Sequence, residues 1–175
     1  MKASSNSEPS AYAEGFPPIA APGARILVLG SMPGQQSLRA LAYYAHPRNA
    51  FWPIMGQLLG FAPDAPYAQR AAMLQQHGIA LWDVLQSCVR PGSLDADIDR
   101  RSLVCNNFPA FLATYPDITR ICCNGAAAHE LFRRHALPAL GPEHPYELLR
   151  LPSTSPAHAG MTQAAKLDAW RAVLA

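Results

Sequence analysis

Four segments of this chain concentrate side chains that can hold a ligand or place a proton. The densest runs Ala42-Tyr43-Tyr44-Ala45-His46-Pro47-Arg48-Asn49-Ala50-Phe51-Trp52. Tyr44 offers a face on which a flat ligand stacks, or it packs into a core. Arg48 can reach a phosphate. Asn49 carries an amide that both donates and accepts. It can orient a water, read an amide edge, or cap a helix that begins near Ala50. A second segment, Gly30-Ser31-Met32-Pro33-Gly34, makes a stiff turn with exposed amides. Such a turn holds an anion or a water, or it is only a turn. Ser153-Thr154-Ser155-Pro156 sets three hydroxyls before a proline. They read as a phosphate or base-edge loop, or as a turn closing a strand. Asn124-Gly125 either turns a strand into a helix or aims an amide into a crevice. Asp83 is a further carboxylate that could join the chemistry or make a buried structural hydrogen bond.

Metal chemistry has no signature here. His46, His144 and His158 fall at no paired-ligand spacing, and Cys88, Cys105, Cys122 and Cys123 form no CxxC motif. The expectation is a site without metal or cofactor, and free buried thiols in a reducing compartment. If Cys122 and Cys123 lie on a strand, they point to opposite faces.

These segments need elements to hold them in place. Residues 25–29 are a continuous aliphatic run ending in Gly30, which suits a strand buried on both faces. Residues 79–85, 118–123 and 146–151 read as three more strands. Helices are predicted over 51–59, 64–78, 108–115, from Asn124-Gly125 through Phe132, and 162–174. Asp64 stands near the start of the second and Thr162 is the N-cap of the last. Strand–helix alternation predicts an α/β fold, a three-layer α/β/α arrangement around a mainly parallel four-stranded sheet. In such folds ligands bind beyond the carboxyl ends of the strands. The four segments fall there: 30–34 with the loop after it, 82–95, 123–125 and 151–159. Residues 1–24 are rich in Ser, Ala and Pro and read as a flexible lead-in to a single domain over 25–175.

Composition narrows the function. The chain has 175 residues, half of them hydrophobic and 15% charged, with a formal net charge of +2. No apolar run approaches a membrane span. The small charge excludes a tail-driven nucleic-acid binder, but not a protein that touches a few phosphates through amides and arginines. The N-terminus lacks the apolar region of a secretory signal, so a cytoplasmic, nucleoid-associated protein is expected. Lysine occurs only at Lys2 and Lys166, outside the four segments. Schiff-base chemistry is therefore not expected.

In their order and spacing, GSMPG (30–34), YYAHPRNAFWPIM (43–55), LWDVL (81–85), CVRPGSLD (88–95), NG (124–125) and LPSTSPAHA (151–159) resemble the uracil-DNA glycosylase superfamily. Within it they are most similar to the hypoxanthine-DNA (deoxyinosine) glycosylase branch, family six. The resemblance runs over residues 25–171. It implies the three-layer glycosylase fold and a monofunctional enzyme that removes mainly hypoxanthine from double-stranded DNA as a monomer. The alternatives are a uracil- or mismatch-directed glycosylase, or a non-catalytic nucleic-acid-binding member of the fold. The mismatch-directed relatives carry a water-orienting Asn where this chain has Met32, a departure that matches the hypoxanthine branch. The resemblance implies catalytic roles for Asn49 and Asn124 and base stacking by Tyr44. It places Gly30, Ser31, Met32, Pro33, His46, Ser153 and Ser155 at the substrate. Gly34, Arg48, Thr154, Pro156, Ala157 and His158 would face the DNA. The chemistry agrees. Enzymes of this kind take the base out of the stack, and cleavage passes through an oxocarbenium-like state with negative charge flowing into the departing base. Asn49 would position the attacking water. Asn124 would meet the base edge, where hypoxanthine presents O6 as acceptor and N1–H as donor.

Overall fold

A computed structural model describes residues 11–175. Its central sheet joins four strands: β2 (Ile26–Gly30), β3 (Ile79–Asp83), β6 (Arg120–Asn124) and β7 (Glu147–Leu151). All pairings are parallel and the order is β3-β2-β6-β7. Alternate residues of the aliphatic runs go to opposite faces, because strand side chains alternate. Leu27, Leu29, Trp82 and Cys123 join one core; Val28, Leu81 and Cys122 join the other. Cys122 and Cys123 thus separate as a strand requires, and burial pushes both thiols up to about 12.

Helices cover both faces. The first core is closed by Phe108, Phe111 and Ala128, which come from α4 (Phe108–Thr114) and α5 (Ala126–Leu131). The second is closed by α2 (Phe51–Leu59), α3 (Tyr67–Gln76) and α6 (Gln163–Trp170), through Phe51, Ile54, Met55, Leu74 and Trp170. This is the three-layer arrangement expected. Thr162 caps α6 by accepting the Ala165 N–H at 3.2 Å, also as expected. The helix expected from residue 64 begins instead at Tyr67, because Pro66 is held extended immediately before it.

Two expectations are corrected. The 79–85 run is not one strand. β3 ends at Asp83, and β4 (Leu85–Val89) enters a second, antiparallel sheet between β1 (Tyr12–Glu14) and β5 (Val104–Cys105). Asp83 alone interrupts the run where β3 ends; Val84 and Leu85 after it are buried like the residues before it, so their apolar character carries no mark of a change of sheet. Nor are residues 12–24 a flexible lead-in. β1 pairs with β4, Ala13 is buried, and Ile19 bridges Leu81 through two backbone hydrogen bonds of 2.8 and 2.9 Å. This segment docks mainly through its backbone, so its lack of large aliphatic residues carries no signal. Residues 1–10 of that expectation lie outside the described residues.

The registers Gly30↔Asp83 and Asn124↔Leu151 bring the carboxyl ends of all four central strands to one edge. The chemistry-bearing segments leave the sheet there.

Candidate active site

A cleft of about 450 Å³ opens at this edge. Its walls come from three loops tied to one another. The Gly30–Gly34 turn is fixed from beneath by Arg90, which is fully buried and whose Nη2 donates to the Pro33 carbonyl. From the side, the Ser31 Oγ donates to Asp95 Oδ1 at 2.5 Å, and Ser93 Oγ accepts the Gln35 N–H at 2.9 Å. Gln35 opens α1 (Gln35–Ala40), whose Ser37 Oγ accepts the Ala45 N–H at 3.1 Å and thereby anchors the next loop.

That loop carries Tyr43, Tyr44, His46 and Asn49 to the cleft. Tyr43 is a core residue, fixed by a bond from Trp52 Nε1 to its carbonyl at 2.8 Å and by its own hydroxyl on Pro17 O at 2.9 Å. Tyr44 has a positive φ of 53°, uncommon for a bulky residue. Its ring stacks on Phe51 with centroids 4.1 Å apart, which leaves one face for a flat ligand. The Tyr44 hydroxyl is buried and makes no well-aligned hydrogen bond among the described residues. Burial, and next the charge of Asp83, push its ionisation well above the ordinary tyrosine range, against the nearby Asn124 side chain. Asn49 Oδ1 accepts the Phe51 N–H at 2.9 Å and so caps α2. The capping role and the cleft position, open alternatives in the sequence, hold together.

The third loop follows β7. Asn124 binds Thr154 with both ends of its amide, Nδ2 on Oγ1 at 2.8 Å and Oδ1 on the Thr154 N–H at 2.9 Å. The Thr154 carbonyl accepts the Ala50 N–H at 3.0 Å, which links this loop to the Asn49 loop. Gly125 has a φ of +95°, and a Cβ there would stand 2.9 Å from that of Ser153, so only glycine fits the crossing. Ser153 and Ser155 turn their hydroxyls onto local amides, those of Ser155 and Ala157, each at 3.2 Å. Lys166, buried on α6, donates from Nζ to the His158 carbonyl at 2.8 Å.

The structure brings Gly30, Ser31, Met32, Pro33, Gly34, Tyr44, His46, Asn49, Asn124, Ser153, Thr154, Ser155, Pro156 and Ala157 to the cleft. Arg48 and His158 are exposed and stand outside its lining. Met32 lines the cleft while packing into the first core. Sequence reasoning singled out neither Arg90 nor Ser93 nor Asp95, and left Asp83 open. The available signal was an arginine, a turn and two acids directly after a buried strand at the ligand-binding edge.

Asp83 is 3% exposed, and its Oδ2 has no partner among the described residues. Burial, with Asp95 adding to it and Arg90 opposing, lifts its carboxyl to about 7. Asp95 is also raised by burial, against the bond from Ser31 and the charge of Arg90. The cleft thus offers a stacking ring, two oriented amides and a carboxyl that is partly neutral near pH 7, which suits a flat hydrogen-bonding ligand.

The sequence profile of the Uracil DNA glycosylase superfamily matches residues 17–174. The hypoxanthine DNA glycosylase of Methanosarcina acetivorans is 33% identical over 160 residues, spanning 91% of this chain and 96% of that protein. The hypoxanthine DNA glycosylase of Methanosarcina barkeri is 34% identical over 118 residues, 67% of this chain and 73% of that one. Among solved structures, the solution NMR structure of a candidate uracil DNA glycosylase from Methanosarcina acetivorans matches with a TM-score of 0.75 at 30% identity. The match covers 94% of this chain and 99% of the other.

Proposed function

The chain belongs to the uracil DNA glycosylase superfamily, and from that membership we propose that it is a monofunctional DNA glycosylase removing deaminated bases, hypoxanthine first, from double-stranded DNA. The observation that carries this reading is the cleft itself. The six motifs that resemble the family converge on one edge of the sheet, around a space large enough for a flipped nucleoside.

In this reading the free face of Tyr44 stacks on the base. Asn49, its Oδ1 oriented by the Phe51 N–H, places water against the sugar. The bond from C1′ to the base breaks and its electron pair leaves with the base. The water oxygen bonds to C1′ and a proton from that water goes to the base, leaving an abasic site. Asn124, one N–H and one lone pair already engaged by Thr154, fixes the 153–157 loop and turns its remaining capacity to the base edge. The loop hydroxyls and amides, with exposed Arg48 and His158 outside the cleft, meet the flanking phosphates. Among the described residues no lysine lines the cleft and Lys166 is tied to the His158 carbonyl, so none of them is placed to cleave the strand through a Schiff base. The enzyme works as a monomer on nucleoid DNA in the cytoplasm. Among the described residues no helix is long and apolar enough to cross a membrane.

The test is base release from duplexes bearing inosine, uracil, xanthine or mismatched thymine. Inosine duplexes are expected to release hypoxanthine fastest and to leave strands intact until alkali is added. Tight inosine-DNA binding without an abasic product would instead support a non-catalytic member of the fold. A borohydride-trapped adduct would refute the monofunctional assignment.

A further inference from the structure

Most polar groups of the cleft are already engaged by the protein. Asn124 holds Thr154, Asn49 Oδ1 holds Phe51, Ser31 holds Asp95, and Ser153 and Ser155 hold their own loop. Two buried groups stand apart. Asp83 Oδ2 is buried without a hydrogen-bond partner among the described residues, the buried Tyr44 hydroxyl has only the Asn124 side chain within reach, and both residues line the cleft. The two side chains crowd the same point, for a Cβ built on Gly30 would strike Oδ1, the other oxygen of the Asp83 carboxyl, and stand 3.0 Å from the Tyr44 oxygen. Glycine at position 30 is what lets the two reach the floor together. Native proteins seldom leave a buried carboxyl oxygen unsatisfied unless something outside the chain satisfies it.

We infer that Asp83, as a neutral carboxylic acid, reads the edge of the flipped base, its O–H donating to the base carbonyl and its C=O accepting from the adjacent ring N–H. This deepens the glycosylase reading and rests on it. A carboxylic acid carries one donor and one acceptor side by side. That is the complement of the lactam edge created when an amino base is deaminated: O6 with N1–H in hypoxanthine, O4 with N3–H in uracil. As the bond to the sugar lengthens, negative charge flows into that carbonyl, so the hydrogen bond from Asp83 is stronger in the transition state than in the bound substrate. An ionised Asp83 presents only acceptors and a like charge to the same oxygen.

The surroundings favour the neutral form. Burial raises the carboxyl first and the neighbouring Asp95 raises it further. Arg90, at the end of β4, opposes them but forms no ion pair with Asp83 among the described residues. Tyr43 and Tyr44 on the preceding loop and Tyr67 on α3 face the same charge, and each is harder to ionise for it. The acid is half populated at a pH of about 7.

The experiment is single-turnover hypoxanthine release from an inosine duplex between about pH 5.5 and pH 9, with wild type, Asp83→Asn and Asp83→Ala. Thermal midpoints at both ends of the range show that each variant is folded. The wild-type rate is expected to fall about tenfold per pH unit above neutrality, as loss of one required proton dictates. Asp83→Asn keeps a neutral donor and acceptor of the same shape, so its rate is reduced but no longer falls with pH. Asp83→Ala loses on the order of a hundredfold. An Asp83→Asn variant that keeps the wild-type fall with pH, or an Asp83→Ala variant within about threefold of wild type, overturns the inference and leaves the glycosylase reading standing. A wild-type protein that releases no base from any of the duplexes overturns both.

Discussion

Asn124 grips Thr154 with both ends of its amide, at 2.8 and 2.9 Å, and so fastens the end of β6 to the loop that follows β7. Thr154 is 1% exposed and passes the connection on through its carbonyl to Ala50. Two adjacent parallel strands and the start of α2 are thereby joined at the cleft by a single threonine.

The two residues are expected to be energetically coupled. Thr154→Val keeps the volume and removes the hydroxyl, costing about 1 kcal/mol. Asn124→Ala removes both bonds and leaves the buried Thr154 N–H unmet, so it costs more. In urea unfolding the double variant is expected to fall short of the sum by roughly 0.5–3 kcal/mol. Strict additivity would mean that the latch carries no load.

Gly30 is required for space and not for backbone freedom, since its φ is not in the left-handed region. A Cβ there overlaps Asp83 Oδ1 and presses on the Tyr44 hydroxyl. Gly30→Ala is expected to cost about 1–3 kcal/mol by overpacking and to block base release. In an Asp83→Ala background the same substitution meets one obstacle fewer, so its stability cost shrinks. An equal cost in both backgrounds would show that Asp83 is not the obstacle.

How much of this was legible in the sequence depends on whether the signal was local. The run Ile26-Leu27-Val28-Leu29 is apolar on both faces because helices cover both faces, so the strand and its parallel sheet could be read directly. The break between Asp83 and Leu85 could not, since a single acid is its only mark and Val84 and Leu85 resume the apolar run as the chain changes sheets. Nothing near Arg90 in sequence says that its guanidinium ends beneath Pro33, fifty-seven positions away. For Asn49 the sequence offers the cap and the cleft as rivals. The structure combines them, because an amide oxygen that accepts the Phe51 N–H still leaves the nitrogen unspent.

Asp83 should also leave a mark on stability. Its folded pKa of about 7 lies above the unfolded value near 3.9. Between those two values the native state holds a proton that the unfolded chain has lost, so stability falls as pH rises through that window and levels off above it. Asp95, raised in the same direction, adds to the slope. Asp83→Asn removes the Asp83 share. The variant is expected to match wild type near pH 4 and to exceed it at pH 8 by on the order of a few kcal/mol. Paired urea titrations at the two pH values measure the difference, and a variant less stable than wild type at pH 8 would contradict it.

Asn49→Ala separates chemistry from capping at the remaining amide. Loss of the Oδ1 contact to the Phe51 N–H is expected to cost about 1 kcal/mol of stability, as for other helix caps. A cost of that size leaves the protein folded at room temperature and does not itself slow a reaction. If Asn49 also places the water, single-turnover base release should fall by a hundred- to a thousandfold, the usual effect of losing one oriented polar group in a site. Inosine-DNA binding should change little, because the water and not the base is its partner. Tyr44→Ala should behave in the opposite way. It removes the stacking face and weakens capture of the flipped base by roughly 1–3 kcal/mol, if stacking is worth what it is in single-strand binders. Release rate, duplex affinity and thermal midpoint on the same two variants decide the matter. A destabilised but fully active Asn49→Ala would leave Asn49 as a cap alone and move the water to another group of the cleft.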